Sequence, residues 1–281
     1  MKQRTITGII ILAFMLLVVI LSKYIVYPIV MALLAVSAVH EIEKVMGANK
    51  RLGVAVPSYI FAAAFPASAY FVTMSNAKDF LLILFATMFV FLLWLMAISV
   101  FSKGNFSFVQ LGEVFATTVY VTVSFTSLSL LRYLDHDTGV FAVVLVFIVA
   151  WVCDTFAYAV GVLIGKHKLI PEISPKKTIE GSIGGIVFCS LACIIYGLCL
   201  EIIVDGMEVN YLILGLIGAV LSVVSQLGDL IASLIKREYN AKDYGKLFPG
   251  HGGVMDRFDS VLAVSTILLI IFMAFPPFVI N

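Results

Sequence analysis

The feature that most constrains this chain is a series of long apolar runs separated by short polar connections. Nine runs, in a chain of 281 residues, approach or exceed the ~20 residues that a helix needs to cross a ~30 Å hydrocarbon core. They cover approximately residues 5–21, 24–40, 54–74, 80–100, 112–131, 140–164, 182–204, 211–235 and 258–279. Only helices and closed barrels cross lipid with all backbone groups bonded, and these runs are continuous rather than alternating. The sequence therefore predicts an all-α, polytopic membrane bundle of about nine transmembrane helices.

Composition supports a lipid-facing surface. Hydrophobic residues make up 62% of the chain and charged residues 12%, whereas a soluble domain carries about 25% charged residues. The net charge of +1 and the lack of a basic domain predict no nucleic-acid partner. Cys189 and Cys193 share a helix face, but no other ligand stands at metal-binding spacing beside them, so we expect both to serve in packing.

Lysine and arginine positions predict the orientation. With the N-terminus in the cytoplasm, 15 of the 18 Lys and Arg residues fall in cytoplasmic segments, and only Lys23, Lys78 and Arg132 fall outside. An odd number of spans then leaves the C-terminus outside. The first run follows a basic start and resembles a signal peptide, but no small-residue cleavage site follows it, so we expect an uncleaved span.

The connections predict where function concentrates. We expect a single integral membrane domain over residues 1–281, in which residues 1–140 carry no recognised motif. The two long polar connections, residues 165–181 and 236–257, are both cytoplasmic in this topology and belong to a predicted catalytic core over residues 150–260. Pro57 and Pro66 are expected to kink the third span.

The connection at 236–257 is rich in groups that handle phosphate and metal. Gly250, Gly252 and Gly253 let the backbone approach an anion closely. Asp256 and Asp259 are three residues apart and share a face if the last helix begins there, and hard carboxylate oxygens suit Mg²⁺. The cations of this loop are Lys236, Arg237, Lys242 and Lys246. A merely solvated loop explains the lysines but not the P-G-H-G-G and D-R-F-D stretches.

Two acids lie inside apolar runs, where a carboxylate is costly unless it faces a partner or a watery cavity. Asp154 lies roughly 21 Å and Asp229 roughly 27 Å from the outer ends of their spans, at 1.5 Å per residue. Both acids are therefore predicted near the cytoplasmic surface, where the two long loops begin. A structural interhelical hydrogen bond is the alternative for Asp229, and a structural role is the alternative for Asp154.

The loop at 165–181 offers a second set of phosphate-type groups. Ser174-Pro175 is a turn or an extended dipeptide, after which Lys176 and Lys177 present two cations. Thr178 and Glu180 open the seventh span, where a helix N-terminus favours an anion. The alternative is a basic loop that faces anionic lipid heads. His40, Glu41 and Glu43 end the second span, and we interpret them as interfacial polar residues.

Magnesium-type acids beside phosphate-type cations, at the depth of lipid head groups, predict phosphoryl or nucleotidyl transfer onto a lipid. Such reactions need charge neutralisation and in-line positioning more than covalent catalysis. Composition and spacing alone name neither the nucleotide nor the lipid.

The stretch from Ser233 to Asp259 resembles the signature of the phosphatidate cytidylyltransferases at every fixed position over 27 residues. Three further stretches are similar to that family: D-T-F-A-Y-A-V-G from Asp154, S-P-K-K-T-I-E-G from Ser174, and S-Q-L-G-D from Ser225. The motifs lie between about residues 150 and 260, and the similarity in length and helix number extends over the whole chain.

The resemblance implies transfer of CMP from CTP to phosphatidate in the inner membrane, with Mg²⁺ required and the active site facing the cytoplasm. Asp229 and Asp256 would be metal ligands, with Asp154 and Asp259 as further candidates and a monovalent cation such as K⁺ sharing the site. Lys177 and Arg257 join the two ligands as catalytic candidates. A homodimer is also implied. The candidate phosphate-binding residues are Ser174, Lys176, Lys177, Thr178, Glu180, Lys236, Arg237, Lys242, His251, Gly252 and Gly253.

Three other readings stay open at this point. A CTP-dependent kinase of a polyprenol-type lipid would use a similar scaffold, but its alcohol substrate would require a base. An ion-coupled transporter would use Asp154 and Asp229 as coupling acids, yet no matching halves are found and both acids lie toward one face. A purely structural membrane protein would leave the chemistry of the loops unused.

Overall fold

The computed structural model describes residues 13, 15–73, 75–133, 135 and 137–280. Within these residues the chain is mostly helical. Short 3₁₀ turns occupy Leu21–Lys23, Ala48–Lys50 and Ala69–Phe71. The α-helices with both ends described are α1 (Val26–Met46), α2 (Leu52–Ser68), α3 (Ala77–Phe101), α4 (Phe108–Tyr133), α5 (Gly139–Ile164), α6 (Ile179–Ile203), α7 (Tyr211–Glu238) and α8 (Met255–Ala274).

The helices confirm a multi-pass membrane protein. Among the described residues, seven helices are long and apolar enough to cross a bilayer, namely α2, with its following 3₁₀ turn, through α8. The second predicted run does form a helix, α1, but it is not one of the seven. Most of the first predicted run, residues 5–21, lies outside the described residues. The number of nine spans and the orientation of the termini stay predictions.

Two short antiparallel strand pairs depart from the all-α prediction. Strands β1 (Lys168–Ile170) and β2 (Ser174–Thr178) form a hairpin in the loop at 165–181. Strands β3 (Met207–Val209) and β4 (Phe278–Ile280) pair near the ends of α6 and α8. Such pairing satisfies backbone groups that leave a helix close to the membrane, where few water partners are available. Ser174-Pro175 is extended rather than a turn.

The described residues fall into two compact units. The first, here called the loop unit, comprises the described residues within 1–134 and 241–256. Its helices pack through aromatic rings, such as Phe61 and Phe91, which stack with centroids 5.3 Å apart. Hydrogen bonds between helices supplement this packing. For example, the hydroxyl of Tyr27 on α1 donates to the carbonyl of Leu128 on α4 at 3.2 Å. The unit thus combines a helical scaffold with the glycine-rich loop.

The second unit, here called the cavity unit, comprises residues 135–240 and 257–281. Its helices approach closely where glycines face backbone. A Cβ on Gly181 of α6 would overlap the carbonyl oxygen of Ala157 on α5, and a Cβ on Gly218 of α7 would lie 2.7 Å from the Cα of Ser190. Small residues of this kind allow membrane helices to gain van der Waals contact without a hydrophobic driving force.

Gly228 performs the same role at the level of the buried acids. A Cβ there would lie 2.7 Å from the carbonyl oxygen of Asp259 and 2.8 Å from the Cβ of Ala263. Because Gly228 precedes Asp229 in the chain, this close approach sets the separation of two acid-bearing helices, α7 and α8.

We expect Gly228→Ala to lower the thermal midpoint of the detergent-solubilised protein. The added methyl meets backbone atoms that cannot rotate away, and overpacking of this kind costs about 1–3 kcal/mol. Gly112→Ala is the matched control, because a Cβ on Gly112 meets nothing within 4 Å. Equal midpoints for the two variants would show that α7 and α8 do not depend on contact at Gly228.

Candidate active site

The cavity unit contains an open cavity of about 550 Å³. Its walls come from α5, the β1–β2 hairpin, the first turn of α6, and α7. It combines carboxylates, ammonium groups and hydroxyls with apolar side chains. The lining residues are Asp154, Ala157, Tyr158, Gly161, Val162, Gly165, Lys168, Leu169, Ser174, Lys176, Lys177, Thr178, Ser182, Gln226 and Asp229. The structure thus brings both predicted buried acids and the predicted lysine pair into one cavity.

An ion pair crosses this cavity. The Nζ of Lys177, on β2, lies 2.5 Å from Oδ2 of Asp229, on α7. The ammonium also donates to the carbonyl of Gln226 at 3.5 Å. The side chains of Lys177 and Asp229 are 21% and 28% exposed, so the pair is partly shielded yet open to an incoming anion. The hairpin therefore delivers its cation directly onto the acid of α7.

Asp154, Asp229 and Asp259 form an acidic group within the cavity unit. Each of the three interacts electrostatically with the other two. The hydroxyl of Ser260 donates to Asp154 Oδ2 at 3.4 Å, and the backbone N–H of Ser260 donates to Asp259 Oδ1 at 2.9 Å. Mutual repulsion of these carboxylates favours a bound cation. Lys177 and Arg257 both act on Asp154 as positive charges.

The donor chemistry of this group fits Mg²⁺, which prefers oxygen ligands. Among the described residues, however, no set of three or more His, Cys, Asp or Glu side chains is already gathered for a metal. An ion would therefore be held by one or two carboxylates, with water and substrate phosphates completing its shell. That mode of binding is the common one for Mg²⁺ in nucleotide enzymes.

The hairpin is fixed by residues predicted to bind phosphate. Thr178 is the N-cap of α6, and its hydroxyl accepts from the N–H of Gly181 at 3.1 Å. Glu180 does not line the cavity; its carboxylate accepts from the backbone N–H of His167 at 3.2 Å and pairs with Nδ1 of that residue at 2.6 Å. Arg237 Nε donates to the carbonyl of Ile173 at 3.5 Å. Glu180 and Arg237 thus hold the loop in place.

The glycine-rich loop belongs to the loop unit. Oδ2 of Asp256 accepts from the backbone N–H groups of Tyr244 at 2.8 Å and Gly253 at 3.0 Å. Gly252 has φ +85°, a left-handed conformation that glycine adopts without strain, and a Cβ there would lie 2.7 Å from Asp256 Oδ2. The backbone N–H of His251 donates to the carbonyl of Phe248 at 2.9 Å. Asp256 therefore organises the turn that the sequence singled out.

The predicted site residues are divided between the two units. Lys242, His251, Gly252, Gly253 and Asp256 lie in the loop unit, and the others lie in the cavity unit. Lys242 and Arg257 are exposed, whereas Asp256 and Asp259 are buried. Joint metal binding by Asp229 and Asp256 stays a prediction.

Sequence reasoning missed the structural role of Glu41. We predicted an interfacial polar residue, but its side chain is 7% exposed and accepts from the N–H groups of Val254 and Met255, each at 3.0 Å. Burial raises the pKa of Glu41, and these two backbone donors oppose the rise. The one signal in the sequence was an acid at the end of an apolar run. Its partners lie more than 200 residues away, so spacing cannot identify them.

Comparison with known proteins decides the family. The Cytidylyltransferase family matches residues 2–275 of the chain. The chain belongs to this family. Phosphatidate cytidylyltransferase of Bacillus subtilis (strain 168) is 35% identical over 273 residues, which cover 95% of this chain and 96% of that protein.

Other relatives match this cytidylyltransferase family member over a shorter region. Phosphatidate cytidylyltransferase of Staphylococcus haemolyticus (strain JCSC1435) is 41% identical over 177 residues, which cover 63% of this chain and 65% of that protein. The corresponding protein of Staphylococcus saprophyticus subsp. saprophyticus is 42% identical over 177 residues, with the same coverage. The aligned part is therefore slightly less than two thirds of the length of these two relatives.

If this cavity binds CTP, as the family resemblance implies, we expect Lys177→Ala to weaken binding of CTP or lower turnover by about tenfold or more, the usual loss for a hydrogen bond to a charged group. The change also leaves Asp229 without its ion-pair partner. Steady-state kinetics with varied CTP would separate weaker binding, seen as a higher KM, from a lower turnover number. Lys78→Ala, at an exposed position in the first turn of α3, is the control. Unchanged KM and turnover in Lys177→Ala would remove this lysine from the site.

Proposed function

We propose that this family member is a phosphatidate cytidylyltransferase, which transfers CMP from CTP to phosphatidate and yields CDP-diacylglycerol and pyrophosphate. The observation that carries the proposal is the Lys177–Asp229 pair in a cavity that also holds Asp154 and Lys176. Relatives that bear this enzyme name support the choice of nucleotide and lipid.

The reaction suits the groups of the cavity. An oxygen of the phosphatidate phosphate attacks the α-phosphorus of CTP, a new P–O bond forms, and the bond to the β-phosphate breaks. Pyrophosphate leaves with the electron pair of that bond. The attacking phosphate is already anionic near neutral pH, so a strong protein base is not required. Lys176 and Lys177 neutralise phosphate charge and hold the nucleotide in line with its acceptor.

Mg²⁺ is the cofactor that we propose for this site, and when bound it neutralises charge on the reacting phosphates. Asp229 and Asp154 offer oxygen ligands beside the cationic hairpin. Family resemblance assigns Asp256 as a further ligand and K⁺ as a companion ion, and Asp259 is the remaining candidate. Lys177, which contacts Asp229 in this structure, would turn to the substrate phosphates when CTP is bound.

The two substrates come from different phases, and the cavity walls suit both. Ser174, Lys176 and Thr178 present polar groups to a soluble nucleotide. Tyr158 and Val162 lie on an exposed side of α5 and give an apolar edge to the same cavity. We propose that the lipid enters along this edge, that the cavity faces the cytoplasm in the inner membrane, and that the enzyme is a homodimer.

The position of the transferred phosphate tests the proposal directly. Purified protein in phosphatidate-containing micelles should incorporate label from α-labelled CTP into lipid, and only when Mg²⁺ is present. Label from γ-labelled CTP should stay in the aqueous phase as pyrophosphate. Incorporation of the γ label would identify a lipid kinase instead. Solute uptake by proteoliposomes without any CTP turnover would favour a transporter.

We expect Asp256→Asn to abolish turnover while the protein stays folded. The asparagine side chain retains an oxygen that can accept from Tyr244 and Gly253, as Asp256 Oδ2 does. What it loses is the charge that a Mg²⁺ ligand supplies. Gel filtration in detergent and the thermal midpoint would establish the fold, and the labelled-CTP assay would measure turnover. Near-normal rates would exclude Asp256 as a metal ligand.

A further inference from the structure

Glu41 lies on α1 and its carboxylate lies at the start of α8. Oε1 accepts from the N–H of Val254 and Oε2 accepts from the N–H of Met255, each at 3.0 Å. The first N–H groups of a helix have no partner within the helix and carry partial positive charge. A carboxylate at this place therefore stabilises both the helix end and its own ionised form.

Two glycines of the loop face the same carboxylate. A Cβ on Gly245 or on Gly253 would overlap side-chain atoms of Glu41. Neither glycine has a positive φ, so conformational freedom is not the reason for glycine at these positions. Close wrapping of the loop around Glu41 is the physical reason.

Asp256 secures the same loop through different backbone groups. Its Oδ2 accepts from Tyr244 and Gly253, whereas Glu41 accepts from the next two residues, Val254 and Met255. Two carboxylates, one on α1 and one on α8, thus share four backbone donors of this loop, and three of the donors are consecutive residues of one turn, Gly253–Met255. Fixing Val254 and Met255 also fixes Asp256, because it follows them directly in the chain.

We infer that Glu41 is a positioning residue for nucleotidyl transfer: it holds the Gly253–Met255 turn, and so the Asp256 carboxylate, in the geometry that metal binding needs. This inference rests on the proposed function, because it takes Asp256 as a metal ligand. Groups that orient metal ligands typically contribute about 10- to 100-fold to metal affinity or activity.

A carboxylate suits this position better than an amide of the same shape. Glutamate offers two acceptor oxygens to the two N–H groups. Glutamine offers one oxygen and one NH₂ group, so Glu41→Gln sets a donor against a backbone donor. We therefore expect the exchange to loosen the turn without removing any packing volume.

The test compares three glutamine variants in detergent. Glu41→Gln should raise the half-saturating Mg²⁺ concentration for turnover by about 10- to 100-fold. It should also speed tryptic cleavage at Lys242 and Lys246, two exposed residues of the loop, severalfold. Glu43→Gln removes a buried acid from the same helix, whose side chain interacts with Ser58 and Tyr59, and should leave both readouts unchanged. Exposed Glu201 supplies the second control, Glu201→Gln.

A double-mutant cycle tests the steric part of the inference independently. Gly253→Ala alone should reproduce the rise in Mg²⁺ requirement and in loop cleavage, because its methyl overlaps the Glu41 carboxylate. In a Glu41→Ala background these overlapping carboxylate atoms are gone, so Gly253→Ala should add little further loss. Full additivity of the two changes would overturn the inference.

The outcomes separate this inference from the proposed function. If the unmodified protein transfers the α label but Glu41→Gln leaves the Mg²⁺ requirement and loop cleavage unchanged, the inference is wrong and the function stands. If the unmodified protein transfers no label, the proposed function is wrong. Tryptic cleavage of the loop, in the single variants and in the double-mutant cycle, then still measures whether Glu41 holds the turn. If the loop of Glu41→Gln resists trypsin as well as the loops of the control variants, Glu41 does not hold the turn.

Discussion

The cost of holding charge where water is scarce governs this structure. Asp154 and Asp229 lie within long apolar helices, and an unpaired carboxylate there costs several kcal/mol. The structure offsets that cost with cations carried on the β1–β2 hairpin, above all Lys177, whose ammonium lies 2.5 Å from Asp229. The two acids are therefore stabilised by the hairpin, and the hairpin is held in place by Glu180 and Arg237. An open cavity that presents both positive and negative groups is the chemical result.

Glycines make the required distances possible, for steric rather than conformational reasons at most positions. Gly228 brings the backbone of α7 against that of α8 beside Asp229 and Asp259. Gly161 and Gly165 leave space for Thr178, which caps α6 at the cavity wall. Gly253 allows the turn before α8 to close on Glu41. A methyl group at Gly228 would push two helix backbones apart, and one at the other positions would displace Thr178 or Glu41 from the backbone groups that they bind.

Carboxylates in this protein serve two different ends. Asp154 and Asp229 line an open cavity, where their charge is available to a ligand. Glu41 and Glu180 instead bind backbone N–H groups and hold loops in shape. Asp256 also accepts hydrogen bonds from backbone N–H groups, and the proposed function adds a role as metal ligand. The loop is thus built around Glu41 and the hairpin around Glu180. From the sequence alone, Glu41 is interpreted as an interfacial residue and Glu180 as a phosphate-binding residue.

Much of the architecture was readable from the sequence because it depends on local and solvent-imposed rules. Runs of about 20 apolar residues predict spanning helices, and the bounds of α5, α6 and α7 lie within a few residues of the predicted runs. The motifs around Asp154, Lys177 and Asp229 were likewise visible as polar groups in apolar surroundings. Only the tertiary structure decided that Lys177 pairs with Asp229, that Glu180 binds His167, and that Glu41 holds a turn more than 200 residues away. The reason is physical: helix formation and membrane insertion depend on neighbours in the chain, whereas the partner of a buried charge depends on which distant backbone the fold brings beside it.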